Sequence, residues 1–316
     1  MPWRRACVTA TLPLLRVADL DATPDVPCEV CGAPAARWRN VADHDHFRCG
    51  DCRHLFVHPR PTRERLDDFY ADPGYYATAR REEARLAAEA DGRASLLTQI
   101  ASRLGLGRRL LDVGCATGVF LCAARAGGWS TTGVERSLAT AALARERSGA
   151  PVYEGLIEEI DVPGAPFDVV TAWEVLEHAS EPTSLMQALA RNVVPGGLVA
   201  LSTPRSDGIP ARVMGERFPM ICPPEHLSLF SRESLGRLSR SLNLEMLHYT
   251  SFSNLGPASL ASGLSRRMLG RNVSENGATG RLLLGGMGFA LAWIPWLVDR
   301  AGLGTEMLVV LRAPSA

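Results

Sequence analysis

Short apolar runs of strand length alternate with segments of helical periodicity between residues 109 and 203. This alternation is typical of a mostly parallel, doubly wound α/β sheet. Before it, Leu97, Ile100 and Leu104 form an apolar stripe that predicts a helix lying against the sheet. After it, the pattern predicts an amphipathic helix over 231–242, a sixth strand over 244–250 and a closing seventh strand that ends near residue 312, beside the fifth and sixth strands.

The most informative strand of this pattern runs from Leu110 into Asp112 and is followed by Gly114 and Gly118. Glycines at these positions permit a tight turn, so a cofactor can lie against bare backbone at the carboxyl end of a strand. A second predicted strand ends in Glu135, 23 positions after Asp112. Sheets of this type place an acid at about that interval, where it binds the ribose hydroxyls of a cofactor.

An acid at position 112 would repel a pyrophosphate and suits a ligand that carries a positive charge. The Asp-x-Gly-x-x-x-Gly stretch resembles the signature of class I S-adenosylmethionine-dependent methyltransferases, whose cofactor carries an ammonium and a sulfonium. The resemblance runs from about residue 75 to residue 247 and implies a seven-stranded Rossmann-like fold. The cofactor-binding residues expected on this basis are Asp112, Gly114, Cys115, Gly118, Glu135, Leu156, Trp173 and Arg93.

Three of these residues, Leu156, Trp173 and Arg93, are expected to contact different parts of the cofactor. Leu156, just past the third strand, is placed to flank the adenine. Trp173, just past the fourth strand, either packs on the cofactor or belongs to the core. Methyltransferases of this type often cover the cofactor with the segment before the first strand, which here contains Tyr75, Tyr76 and Arg93. An arginine there can hold the cofactor carboxylate in a bidentate pair.

A second motif, Glu174-Val175-Leu176-Glu177-His178, follows the fourth strand. Its spacing of i, i+3 and i+4 puts Glu174, Glu177 and His178 on one helical face, beside the place where the methyl group must sit. The motif resembles one found in ubiquinone-type O-methyltransferases and in small-RNA 2′-O-methyltransferases, where it takes part in binding a divalent metal, and His226 would supply a further ligand. These four residues are the predicted catalytic group, acting through Mg or Mn, or through a histidine that serves as an acid, a base or a substrate contact.

Four cysteines near the N-terminus have the spacing of a zinc site. Cys28 and Cys31 form one CxxC pair, and Cys49 and Cys52 form a second pair after a short intervening segment. Two such knuckles close a tetrahedral thiolate site with no open position, so the predicted zinc is structural. A disulfide pairing is the alternative, and the absence of a leader pattern and the other scattered cysteines favour a reducing, cytoplasmic location instead.

The charge and hydropathy of the chain restrict the kinds of macromolecule or membrane that it can bind. The chain has 34 basic and 34 acidic side chains, so no broad field attracts nucleic acid or an anionic membrane. The segment 282–298 carries no charge, but it is short for a membrane span. A bilayer crossing would also separate the seventh strand from its sheet. We therefore expect a helical insert that covers the substrate pocket, forms a homodimer contact or touches a membrane surface.

The sequence thus predicts three parts: a zinc-ribbon-like module over 1–60, a helical linker and cofactor cover over 61–107, and a methyltransferase domain over 108–316 with an apolar helical insert at 256–301. The expected activity is S-adenosylmethionine-dependent O-methylation of a small molecule in a biosynthetic pathway. N- or C-methylation, an RNA-modifying enzyme and a non-catalytic cofactor-binding scaffold are the alternatives. The motifs do not identify the acceptor.

Overall fold

The computed structural model describes residues 25–71, 83–253 and 293–315. These residues form two sheets, and their strands are numbered here in chain order. The smaller sheet has the strand order β1–β2–β3–β4–β10, with antiparallel pairing throughout. Its members are β1 (Val26–Pro27), β2 (Pro34–Val41), β3 (His44–Cys49), β4 (Leu55–Val57) and β10 (Ser228–Leu229).

The larger sheet has seven strands in the order β11–β12–β9–β8–β5–β6–β7. Five neighbouring strands are parallel, and β12 runs antiparallel to both of its neighbours. The predicted α/β sheet is therefore confirmed, and the seventh strand lies between the fifth and the sixth as expected. The strands are β5 (Arg109–Val113), β6 (Ser130–Glu135), β7 (Val152–Glu154), β8 (Phe167–Trp173), β9 (Val193–Pro204), β11 (Glu245–Phe252) and β12 (Glu306–Arg312).

Neighbouring residues on a strand point to opposite faces of the sheet. Because the strands carry apolar side chains on both faces, helices cover both faces. On β5, Leu111 belongs to one buried apolar cluster and Leu110 to the other. Leu97 is fully buried in the second cluster, which confirms the predicted stripe. The helices are α1 (Arg63–Ala71), α2 (Glu83–Arg103), α3 (Val119–Ala126), α4 (Leu138–Ser148), α5 (Pro182–Arg191), α6 (Ile209–Met214), α7 (Arg232–Ser241) and α8 (Trp293–Arg300).

The N-terminal module, residues 25–60, is called the cysteine ribbon below. Its sheet is completed by β10, a strand from the second half of the chain: Phe56 pairs with Ser228, and Leu55 pairs with Leu229. Leu55 also packs with Phe218 and Ile221 in a separate apolar cluster. The ribbon therefore holds the segment between β9 and β10 against itself.

Part of the predicted apolar insert, residues 254–292, lies outside the described residues, as do Tyr75 and Tyr76. The end of the insert is described and forms α8. Within the described ranges, no helix combines the length and the apolar character that a membrane crossing requires.

Candidate functional site

The turn between β5 and α3 has the backbone that its glycines predict. Gly114 has φ of 69° and Gly118 has φ of 78°, both in the left-handed region that glycine tolerates. A Cβ atom on Gly114 would lie 2.6 Å from a methyl group of Val175. The cofactor turn therefore touches the segment that follows β8, and the two sequence motifs are neighbours in space.

Asp112, the last residue but one of β5, has a buried carboxyl group. The Thr171 hydroxyl donates a 2.7 Å hydrogen bond to it from the neighbouring strand β8. Burial raises the pKa of Asp112 to about 7, although the Thr171 hydrogen bond and the positive charge of Arg93 both act in the opposite direction. A cationic ligand placed here would favour the ionised carboxylate.

Glu135 ends β6 beside the same turn. Its carboxylate accepts hydrogen bonds from the backbone N–H groups of Ala116, at 3.0 Å, and Ser137, at 2.9 Å. These bonds fix a buried acid at the carboxyl edge of the sheet, where its remaining lone pairs can accept from hydroxyl groups. Burial raises the pKa of Glu135, and the backbone donors oppose that rise.

Arg93 lies at the same site, although it belongs to the helix that precedes the first strand of the large sheet. Its side chain is 7% exposed, pairs with Glu89 at 2.7 Å and places its guanidinium 4.7 Å from the centre of the Trp173 ring. Trp173 also contacts Phe120 edge to face, with ring centres 5.2 Å apart. The indole N–H of Trp173 is buried and has no hydrogen-bond partner among the described residues.

Leu156 and Cys115 have different surroundings. Leu156 lies in the loop after β7, and this loop is tied to the cofactor edge by a hydrogen bond from Gly155 N–H to the Glu135 carbonyl. The Cys115 thiol points into an apolar cluster that includes Leu121, since a Cβ on Gly133 would lie 2.8 Å from the sulfur. Cys115 therefore presents only backbone to the turn.

The Glu174 to His178 segment is not one helical face, which corrects the expectation from its spacing. Glu174 has φ of 53°, in the left-handed region, and the helical part of this segment is the 3₁₀ turn Leu176–His178. Glu174 is tied to β9 by a hydrogen bond from its N–H to the Ser202 carbonyl. Near this segment, in the parts of the chain that the structure describes, the ligand atoms that lie within 4.8 Å of one another belong to Glu177, His178 and His226, without Glu174.

Both histidines of this cluster have one ring nitrogen committed to the backbone. Nδ1–H of His178 donates to the Glu225 carbonyl at 2.8 Å, and Nδ1–H of His226 donates to the Met220 carbonyl at 2.8 Å. The rings meet edge to face with centres 4.8 Å apart. Burial lowers the pKa of His178 to about 3 and that of His226 to about 4, so both rings are neutral and keep a bare Nε2 lone pair.

Glu177 brings a fully buried carboxyl group to the two imidazoles. Its Oε2 accepts a 2.9 Å hydrogen bond from Thr203, and its Oε1 lies 3.8 Å from His178 Nε2 and has no hydrogen-bond partner within 25–71, 83–253 and 293–315. Burial, followed by the charges of Glu174 and Glu306, raises the pKa of Glu177 well above its usual range. Two bare imidazole nitrogens and one carboxylate are a donor set that fits a divalent metal, and histidines whose other nitrogen bonds a carbonyl are typical metal ligands.

The four cysteines of the ribbon come together as predicted. Their sulfurs are 3.5 Å apart for Cys31–Cys49 and Cys31–Cys52, and 3.6 Å apart for Cys28–Cys52. Zinc–sulfur bonds of about 2.3 Å in a tetrahedron separate the sulfurs by about 3.8 Å, whereas a disulfide needs about 2.05 Å. The cluster therefore has the dimensions of a zinc site, and the disulfide alternative does not fit.

A model of the family described as methyltransferase domain matches residues 78–249, more than half of the chain. The chain belongs to this family. Its sheet is the class I methyltransferase sheet, as the resemblance of its motifs implied.

Two curated relatives of this methyltransferase are ubiquinone biosynthesis O-methyltransferases. The one from Paracidovorax citrulli is 42% identical over 107 residues, which is 31% of this chain and 44% of the relative. The one from Pseudomonas aeruginosa (strain LESB58) is 43% identical over 112 residues, which is 33% of this chain and 48% of the relative. The chain therefore spans less than half the length of these relatives.

Among solved structures, a putative sarcosine dimethylglycine methyltransferase from Galdieria sulphuraria resembles this chain. It has a TM-score of 0.47 and 17% sequence identity, and the likeness covers 70% of this chain and 85% of that one.

The structure adds four residues to the candidate site that the motifs did not indicate. Thr171 and Thr203 donate to Asp112 and Glu177 from the interiors of β8 and β9, where a threonine in a strand gives no functional signal. Glu306 is buried on β12 and its charge acts on Glu177. The Tyr70 hydroxyl lies 3.3 Å from His178 Nδ1. The signal in the sequence that could have indicated Tyr70 is the position of this aromatic residue on α1 among charged residues.

Proposed function

We propose that this protein is an S-adenosylmethionine-dependent methyltransferase that methylates a hydroxyl oxygen of a small-molecule acceptor. The observation that carries the proposal is the contact between the two motifs: the Gly114 turn lies against Val175. This contact supports a position of the Glu177, His178 and His226 cluster beside the expected cofactor. A cofactor site and a buried group of proton-accepting or metal-binding side chains are the two parts that this reaction needs.

The cofactor residues present fit S-adenosylmethionine. In this proposal Asp112 faces the cofactor ammonium, Arg93 pairs with its carboxylate and Glu135 accepts from the ribose hydroxyls. Leu156 flanks the adenine, Trp173 packs on the cofactor, and the backbone of Gly114, Cys115 and Gly118 forms the turn under it. The cofactor supplies a methyl group on a sulfonium, which is already activated for transfer.

On the acceptor side, Glu177, His178 and His226 would hold a divalent cation such as Mg or Mn, and a bound cation lowers the pKa of a hydroxyl group beside it. Without a cation, the bare Nε2 atoms and the buried carboxylate would instead orient the acceptor oxygen and receive its proton. Glu174 takes a supporting part, because its charge raises the proton affinity of Glu177.

Two observations favour a small hydroxyl acceptor. The two curated relatives above are named O-methyltransferases. The chain has equal numbers of acidic and basic residues, so its net charge does not favour the binding of RNA.

The proposal is tested with paired acceptors in which a single hydroxyl is replaced by an amine, such as phenol and aniline, or benzyl alcohol and benzylamine. Release of S-adenosylhomocysteine is measured for each member, with His248→Asn as a matched histidine control and His178→Asn as the site variant. We expect turnover of the hydroxyl members, retained in His248→Asn and lost in His178→Asn. Faster turnover of the amine members, or equal turnover in both variants, would contradict O-methylation at this site.

We also propose that Cys28, Cys31, Cys49 and Cys52 bind one structural zinc ion. The distances between their sulfurs support it, and so does the hydrogen bond from Cys52, which lowers the pKa of Cys28 to about 5. Elemental analysis should find one zinc per chain in wild type and in Cys222→Ser, and none in Cys49→Ser. Equal zinc content in all three proteins would place the metal elsewhere.

Three further expectations from the sequence stay predictions: the cytoplasmic location, a homodimer, and the role of the apolar segment 282–298 as pocket cover, dimer contact or membrane-surface contact. The division into parts at 1–60, 61–107 and 108–316 belongs with them.

A further inference from the structure

A groove separates the cysteine ribbon from the segment that follows β9. The ribbon contributes Trp38, Arg48 and Arg53, and the other wall contributes Asp207 and Arg212. The cavity has a volume of about 420 Å³ and adjoins a second one of about 570 Å³ through Arg53 and Asp207, which line both. The first of these two cavities is called the arginine groove below.

The two walls of the arginine groove are fastened to each other. The Ser206 hydroxyl donates a 2.8 Å hydrogen bond to the Arg53 carbonyl, and the Ser231 hydroxyl donates a 2.5 Å hydrogen bond to the Cys52 carbonyl. On the ribbon side, the Arg48 guanidinium lies 4.6 Å from the centre of the Trp38 ring, which holds this long side chain in place. The groove is thus already shaped before any ligand enters it.

The arginine groove carries an excess of positive charge. Its acidic lining residue in the described part of the chain, Asp207, is engaged by Arg205 at 2.9 Å. The fourth arginine of the lining, Arg37, pairs with Asp45 at 2.6 Å. The charges of the remaining three arginines, Arg48, Arg53 and Arg212, are left without a carboxylate partner as far as the structure describes the chain.

The guanidinium groups of these three arginines also make no hydrogen bond to any described oxygen or cysteine sulfur. They differ in this from Arg60, Arg93, Arg145 and Arg205, each of which has a carboxylate partner. Guanidinium groups repel one another, and each carries five N–H donors. Three of them line this one cavity, of which Arg53 and Arg212 are exposed and Arg48 is half-buried. An anion with more than one charge would neutralise this excess of positive charge.

We propose that the arginine groove binds a phosphate or diphosphate group carried by a small molecule. Guanidinium forks match phosphate oxygens in a bidentate manner, and several of them select a multiply charged group over a single carboxylate. The volume of the cavity exceeds that of one phosphate and leaves room for a second one or for part of the molecule that bears it. The net neutrality of the whole chain favours this confined ligand over a nucleic acid, which needs an extended basic surface.

Isothermal titration with inorganic pyrophosphate tests the proposal on the full-length, zinc-containing protein at fixed ionic strength. S-adenosylhomocysteine is kept saturating so that the cofactor site is closed. Arg212→Gln and Arg48→Gln remove two of the three guanidinium groups, and Arg125→Gln, an exposed arginine on α3 outside the groove, is the matched control. We expect saturable binding to wild type and to Arg125→Gln, weakened about tenfold or more in each groove variant.

A parallel titration with uridine diphosphate distinguishes a free phosphate from a phosphate ester as the ligand. If uridine diphosphate binds more tightly than pyrophosphate, and the same groove variants lose this binding, the ligand is an ester. Zinc content and melting temperature show that Arg48→Gln leaves the ribbon folded, and Arg212→Gln, which is exposed, gives an independent reading. Absence of saturable binding, or equal binding in all variants, would overturn the proposal. Arginine-dependent binding of a single-stranded oligonucleotide without pyrophosphate binding would overturn it as well.

Discussion

The guanidinium of Arg60 donates a 2.6 Å hydrogen bond to the carbonyl oxygen of Leu227, the residue that follows His226. The same group donates to Glu29 at 2.5 Å and to the Ser228 hydroxyl at 2.7 Å. Burial alone would raise the pKa of Glu29, but the hydrogen bond from His54 and the charge of Arg60 bring it to about 2. Glu29 lies within the first CxxC pair, so one arginine joins the cysteine cluster to the backbone beside His226, a residue of the proposed acceptor site.

This connection predicts a positioning role for Arg60. Arg60→Met keeps much of the side-chain volume but removes three charge-assisted hydrogen bonds, so the backbone at Leu227 and the His226 ring lose part of their support. Since such bonds contribute about 1.5 to 3 kcal/mol each, we expect kcat to fall by about tenfold or more. S-adenosylmethionine affinity and zinc content should stay at wild-type values.

Arg37→Met is the matched control for Arg60→Met, because it removes an exposed ribbon ion pair, that with Asp45. Its kcat should match wild type. Equal kcat in wild type and Arg60→Met, or a parallel loss of zinc, would show that Arg60 only stabilises the ribbon.

The second prediction concerns the cofactor contact of Glu135. Glu135→Gln keeps the shape and removes the charge that would accept from the ribose hydroxyls, so S-adenosylmethionine should bind roughly ten- to a hundredfold more weakly. Glu154→Gln, at the end of the adjacent strand β7, is the control and should leave the affinity unchanged. Calorimetric titration of both variants makes the comparison, and wild-type affinity in Glu135→Gln would remove this residue from the site.

The third prediction is a pH dependence of cofactor binding. Burial raises the pKa of Asp112 to about 7, so below that pH the free protein holds a neutral carboxyl group. The cofactor ammonium favours the ionised form, and its binding must then also ionise Asp112. The affinity for S-adenosylmethionine is therefore highest above pH 7, where Asp112 is already ionised. It decreases as the pH falls through 7, by roughly tenfold between pH 8 and pH 6. Calorimetry at both pH values, repeated with Asp112→Asn, should show this decrease only in wild type.

The fourth prediction separates a metal ion from a metal-free acceptor site. If Glu177, His178 and His226 hold a divalent cation, a chelator should abolish turnover, and Mg or Mn should restore it. Zinc analysis of the treated protein must show that the cysteine ribbon remains loaded. His226→Asn should lose the response to added Mn, and His248→Asn should keep it. Full turnover in the chelated, zinc-loaded protein would establish that the cluster works without a cation.

Much of this architecture could be predicted because the signals for it are local. Apolar periodicity reports which face of each strand and helix is buried, and it indicated the alternating strands and helices of the α/β sheet. The family resemblance then implied seven strands, with the last one beside the fifth and sixth. The Asp112 turn and Glu135 stand at strand ends, where chain order already determines the edge of a parallel sheet. The two CxxC pairs also predicted the cysteine cluster, because a zinc knuckle is a short backbone motif and a zinc site needs four sulfurs at fixed spacing.

The remaining features depend on contacts between residues far apart in the chain, and no local pattern reports them. Spacing alone put Glu174 on a helical face, whereas its hydrogen bond to Ser202 of a neighbouring strand holds it in a left-handed conformation and leaves the cluster to Glu177, His178 and His226. The pairing of β4 with β10 and the hydrogen bonds of Arg60 arise only when the ribbon folds onto the methyltransferase sheet. The sequence by itself thus determined which elements form and which chemistry they carry, and tertiary packing decided which of those side chains meet.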